Sequence, residues 1–155
     1  MSIKLYIALL AGALFFESHT VKDIRGGSPK NTIEEDILYY VNKDRKSKGL
    51  GLLKLNQIES SVANEHSRNM ATGKVAFGHD GLTARAKKIR KQLGVGITTV
   101  GENVASGQMT AKEAVEGWLN SPGHKRNIEG DFTLTGIGWA KDKKGMIYFT
   151  QIFTK

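Results

Sequence analysis

Beyond its first twenty residues the chain has three histidines, His66, His79 and His124, set dozens of positions apart. Neutral imidazole is the commonest nitrogen ligand for zinc, and a carboxylate can join it. Catalytic zinc sites keep about three protein ligands and one open position. Glu102, in GENVASG, supplies a carboxylate among apolar, strand-like neighbours. A glutamate pointing into a core needs a partner, either an opposite charge or a bound ligand. Each residue also has an ordinary reading. His66 lies on an apolar helical stripe, where a satisfied core histidine is common. His79 sits beside Asp80 in a glycine loop and reads equally as a surface residue. His124 follows a Pro-Gly break, where an imidazolium would meet the negative end of a helix. The compact H-E-x-x-H motif is absent, so spacing alone leaves a metal site, a buried ion pair and a hydrogen-bonded network all open.

The elements that must carry these residues are visible as patterns. Thr32 and Glu35 form a capping box that opens a helix with the stripe Ile33, Ile37, Tyr40 and Val41. A second helix begins at Asn56, runs along Ile58, Val62, His66 and Met70, and closes at Gly73. Val75–Gly81 is a loop. Leu82, Ala86, Ile89 and Leu93 mark a third helix, and its charges Arg85, Lys87, Lys88, Arg90 and Lys91 read as a solvated face. Ile97–Val100 starts a strand leading into GENVASG. A fourth helix is capped by Thr110 and Glu113 and stops at Pro122; the break at Pro122 and Gly123 is expected to turn His124 toward the other candidate residues, and Gly123 reads as a position needing unusual backbone geometry. Leu134–Ala140 and Met146–Phe153 form a hairpin through KDKKG. Helices come first and strands last, which points to an α+β fold.

The ends and composition bound the setting. LYIALLAGALFF, Leu5–Phe16, follows a lysine and is too short to span a bilayer, so residues 1–20 read as a secretory signal or an N-terminal anchor. Residues 21–30 read as a linker and 31–155 as one domain. There is no cysteine, which excludes disulfides, thiolate metal sites and a lipidated cysteine. The protein is expected to be exported to the periplasm, the envelope or the exterior, and to be a monomer. The net charge of +8 favours an anionic envelope component as partner, and no nucleic acid is expected.

Four stretches in fixed order resemble the CAP superfamily of cysteine-rich secretory, antigen 5 and pathogenesis-related 1 proteins, whose module is also called the SCP-like domain. They are ANEHSRNM (63–70), FGHDG (77–81), GENVASG (101–107) and WLNSPGHKRNI (118–128). GIGWA (136–140) and YFTQIF (148–153) resemble the family's closing hairpin. The absence of cysteine is similar to the bacterial branch. The resemblance implies an α-β-α sandwich, a central antiparallel sheet between helical layers. It also implies a cleft holding His79, Glu102 and His124. The second glutamate of many eukaryotic members falls on Ser121 here, and Glu116 is wrongly spaced to replace it. Bacterial relatives commonly carry a histidine matching His66. The implied site is therefore His66, His79, Glu102 and His124, with zinc or another divalent cation as its occupant.

Two functions follow from this resemblance. One is a secreted binding module, because members are linked with metal and with sterol or fatty-acid binding. The other is a metal-dependent hydrolase with Glu102 as general base. Asn103 and Asn127 read as residues that pin loops through side-chain to backbone bonds, and Ser121 as a hydrogen-bonding neighbour of the site.

Overall fold

The computed structural model describes residues 31–155 apart from residue 95. The candidate signal or anchor (1–20) and the linker (21–30) lie outside the described residues. Residues Asn31–Lys155 make one compact unit. The chain forms α1 (Ile33–Ser47), β1 (Lys54–Leu55), α2 (Gln57–Ala71), α3 (Leu82–Leu93), β2 (Val100–Ser106), α4 (Ala111–Leu119), α5 (Pro122–Ile128), β3 (Leu134–Lys141) and β4 (Ile147–Thr154).

The helix starts follow their caps. Thr32 accepts from Glu35 N while Glu35 accepts from Thr32 N, completing the capping box. Asn56 accepts from Ile58 N and Glu59 N, and Thr110 accepts from Glu113 N. Each such cap contributes ~1 kcal/mol.

The sheet order is β1-β3-β4-β2. β2–β4 and β3–β4 pair antiparallel, as expected, but β1 runs parallel to β3, so the sheet is mixed rather than wholly antiparallel. The parallel edge exists because the chain touches the sheet only briefly before entering α2: Lys54 N bonds Thr133 O and Asn56 N bonds Thr135 O. Further along, the outer edge of β3 is met by α2 side chains. Ile137 N donates to Ser60 Oγ and Trp139 N to Asn64 Oδ1.

Period-two alternation puts a helical layer on each face. Phe149 and Phe153 of β4 and Ile137 of β3 pack with Ile37 and Val41 of α1, Trp118 of α4 and Ile128 of α5. On the opposite face Ile152 packs with Val62 and Ala63 of α2 and Ile89 of α3. The close approach of α2 depends on two glycines. A Cβ on Gly136 would lie 2.1 Å from the carbonyl carbon of Glu59, and one on Gly138 would lie 2.2 Å from Asn64 N. The GIGWA stretch is thus a docking groove for a helix backbone, with Ile137 facing the other layer.

The stripe expected for α2 differs in one respect. Ile58 is only half-buried, while Glu59, Ser60 and Ser67 are buried with Val62, His66 and Met70. Ser67 Oγ reaches Gly138 O at 3.0 Å and Thr150 Oγ1 at 2.8 Å. With no Cβ on the facing glycines, the helix sits close enough for its polar side chains to reach the sheet.

Candidate functional site

His66 projects from the middle of α2 and is 2% exposed. His79 lies in the loop between α2 and α3, with its ring about half exposed. Glu102 points inward from β2, and its side chain is fully buried. His124 is the third residue of α5. These four residues come from a helix, a loop, a strand and a second helix, yet they meet. His79 Nδ1 is 2.9 Å from Glu102 Oε1, His66 Nε2 is 4.0 Å from the same oxygen, and the His79 and His124 rings have centroids 6.3 Å apart.

The corner expected at Pro122 is instead a new helix. Pro122 occupies its first turn, where a missing N–H costs nothing. Gly123 has no positive φ and no crowding, so its backbone is not special. The ring of His124 reaches the site because α5 is pinned along the edge strand β2. Asn103 Nδ2 donates to His124 O, and Asn127 Nδ2 donates to Glu102 O and to Asn103 Oδ1. Trp118 Nε1 donates to Val104 O. Asn127 and Trp118 satisfy carbonyls of the sheet edge and Asn103 one of α5, the pinning role expected of Asn103 and Asn127. Arg45, buried on α1, holds the far end of α5 by donating to the carbonyls of Gly51, Ile128, Gly130 and Phe132.

Glu102 has a partner that the sequence pattern assigns to a solvated face. Arg85 Nη2 donates to Oε1 and Arg85 Nε to Oε2, both at 2.7 Å, a two-pronged ion pair. The same guanidinium donates to Asp80 O at 2.8 Å and His79 O at 3.3 Å. Arg85 stands three residues after Leu82 and four before Ile89, on the border of the buried stripe, a position that by itself does not separate a solvated side chain from a buried one.

This divides the four residues into two halves. His66 Nε2 faces a carbonyl, Gly78 O at 2.9 Å, so it carries the proton and donates. Both oxygens of Glu102 are occupied. Glu102 therefore orients His79: with Nδ1–H given to the carboxylate, the lone pair of His79 is on Nε2. Among the described residues, no group of three or more His, Cys, Asp or Glu is arranged to hold a metal ion. Among the described residues, His79 Nε2 and the ring of His124 carry no hydrogen bond, and neither does Nδ1 of the buried His66 ring. Two imidazoles fit a weakly held cation that takes its other ligands from solvent or a bound molecule; the full set of four does not fit as four ligands.

Burial pushes His124 below its ordinary value of 6.5, and neighbouring His79 adds to this. Burial also lowers His66, opposed by its bond to Gly78 O. Burial thus favours the neutral form of both rings. His124 opens onto a groove of about 310 Å³, lined also by Phe77, Ser106, Gln108, Trp118 and Ser121.

Comparison with known proteins agrees with this fold. Residues 38–153 match the CAP family described as the cysteine-rich secretory protein family. The Bacillus subtilis (strain 168) protein YkwD is 32% identical over 130 residues, 83% of this chain and 49% of that protein. The chain thus spans about half the length of this relative. An outer surface protein of Borrelia burgdorferi shares the fold with a TM-score of 0.68 at 22% identity, covering 81% of this chain and 96% of that one. An extracellular SCP-domain protein of Bacillus anthracis str. Ames gives a TM-score of 0.65 at 29% identity, covering 79% of this chain and 40% of that one. With an α+β sandwich, an ordered motif set and a family match over most of its length, the chain belongs to the cysteine-rich secretory protein (CAP) family.

Proposed function

We propose that this chain is an exported CAP-domain binding module whose cleft holds a small ligand between His79 and His124, with a divalent cation such as zinc as the first candidate occupant. The observation that carries this reading is the His79–Glu102 bond. It fixes one imidazole with its lone pair directed away from a buried carboxylate, 6.3 Å from a second imidazole of depressed basicity. Paired imidazoles suit zinc, and the adjoining groove gives room for a molecule completing the coordination. A lipid or sterol headgroup is one such molecule. The charge of +8 favours retention at an anionic envelope. Among the described residues no helix is long and apolar enough to cross a membrane.

Hydrolysis with Glu102 as general base is the weaker reading, because both carboxylate oxygens already accept from Arg85 and His79. Thermal unfolding with zinc and with chelator, at pH 7.5 and 5.5, tests the binding reading. Zinc should raise the melting temperature at pH 7.5, less so at pH 5.5, and His124→Ala should abolish the rise. No zinc shift in the wild type would overturn the zinc reading.

A further inference from the structure

We propose that the guanidinium of Arg85 is the resident cation of the Glu102 site: it keeps the carboxylate out of metal coordination, and its loss turns a two-imidazole cleft into one with a carboxylate ligand. A fully buried carboxylate requires a neutralising charge, which a metal ion or a guanidinium can supply. Here the guanidinium supplies it. Arg85 is only 13% exposed and is fixed from three sides: by its own helix α3, by both oxygens of Glu102 on β2, and by the carbonyls of His79 and Asp80 in the loop. A charge held this way does not come and go with solvent ions.

Two imidazole nitrogens stand beside the carboxylate that the guanidinium holds, and each would have to give up its proton to ligate a metal. His79 Nδ1 and His66 Nε2 stand 2.9 and 4.0 Å from Glu102 Oε1. Donors around one tetrahedral zinc ion stand roughly 3–4 Å apart, given bonds of about 2.0–2.2 Å. A hollow of about 260 Å³, lined by His66, Asp80, Arg85 and others, opens onto the guanidinium and one of these imidazoles. The arginine thereby decides whether Glu102 orients an imidazole or binds a cation itself.

The test is calorimetric titration with zinc chloride of the full chain: wild type, Arg85→Gln, Arg85→Met, and the double variant Arg85→Gln/Glu102→Gln. The expected result is that both single variants bind zinc at least about tenfold tighter than wild type, and that the double variant loses the gain. Equal affinity in wild type and the single variants, or a gain that survives in the double variant, would overturn the proposal. Removing one partner of a buried pair destabilises the fold, so circular dichroism is followed with and without zinc. If either single variant is unfolded without metal, zinc should restore its signal; failure of both to fold in excess zinc counts against the proposal. The inference rests on the zinc reading of the native cleft only for its wild-type baseline. Binding by the single variants but not by wild type would remove that reading and keep this one. Binding by all three alike would do the reverse.

Discussion

Thr154 donates its hydroxyl hydrogen to Glu59 Oε1 at 2.6 Å, while the other oxygen of that buried carboxyl meets no donor among the described residues. Burial is the dominant influence and raises Glu59 to about 7, with the Thr154 bond acting against it. In the unfolded chain the group ionises near its ordinary value of 4.5. Between pH 4.5 and 7 the folded state therefore keeps a proton that the unfolded state gives up. The associated stability is present in full below 4.5 and is lost as pH rises through 7, by up to about 3 kcal/mol. Glu59→Gln mimics the protonated acid. Urea unfolding should find it more stable than wild type at pH 8 and similar at pH 4. Two parallel stability curves across this range would show that Glu59 is not held neutral.

The contact between β3 and α2 makes a second, sharper prediction. Gly138→Ala drives a methyl to within 2.2 Å of Asn64 N, a backbone atom of a packed helix. The cost should lie at or above the upper end of the ~1–3 kcal/mol typical of overpacking. Gly123→Ala is the control. It sits in α5 with its nearest atom, Arg126 Nη2, 3.9 Å from the added carbon, and the change should be neutral or stabilising by a few tenths to about 1 kcal/mol. Equal losses in the two variants would mean that glycine content, not helix approach, matters at Gly138.

These two glycines also show which parts of the fold were legible in advance. Helix caps at Thr32, Asn56 and Thr110 and the β3–β4 hairpin are local patterns, and each appears where the pattern places it. The meeting of His79, Glu102 and His124 came from motif resemblance, since no local rule joins residues so far apart. Three things were hidden. β1 has two residues and so no periodicity. Pro122 reads alike as the end of one helix or the start of another. Arg85 could be assigned to the core only once Glu102 was known to face it, because a long charged side chain on a helix border is compatible with solvent or with a buried partner.

The buried guanidinium on α1 yields a third prediction. Arg45 donates to four backbone carbonyls, of which Ile128, Gly130 and Phe132 lie in the segment leaving α5. Arg45→Met keeps bulk but orphans those acceptors. At roughly 1–3 kcal/mol for each unsatisfied buried group, the loss should reach several kcal/mol. Asn127→Ala, which frees one edge carbonyl, should cost about 1–3 kcal/mol. Chemical denaturation orders the two. Asn127→Ala should also weaken zinc binding, because α5 carries His124. An Arg45→Met protein as stable as wild type would show that water replaces the lost bonds.

The cleft histidines give a fourth prediction, with the opposite pH sense to Glu59. His66 and His124 are both lowered, chiefly by burial. The unfolded chain takes up protons on these rings near 6.5, while the folded protein resists until lower pH. Stability from this source is held above 6.5 and lost as pH falls below it. His66 should contribute more than His124, since it is nearly inaccessible, with its bond to Gly78 O opposing part of the effect. His66→Gln retains a donor for that carbonyl but cannot take up a proton, so it should flatten the stability loss between pH 7 and 5. Proton–carbon NMR of the imidazole rings measures the titrations directly. Midpoints below 6.5 for both rings agree with buried imidazoles held toward the neutral form. Midpoints at or above that value would mean the rings are solvated, and the cleft would lose its preference for a cation at neutral pH.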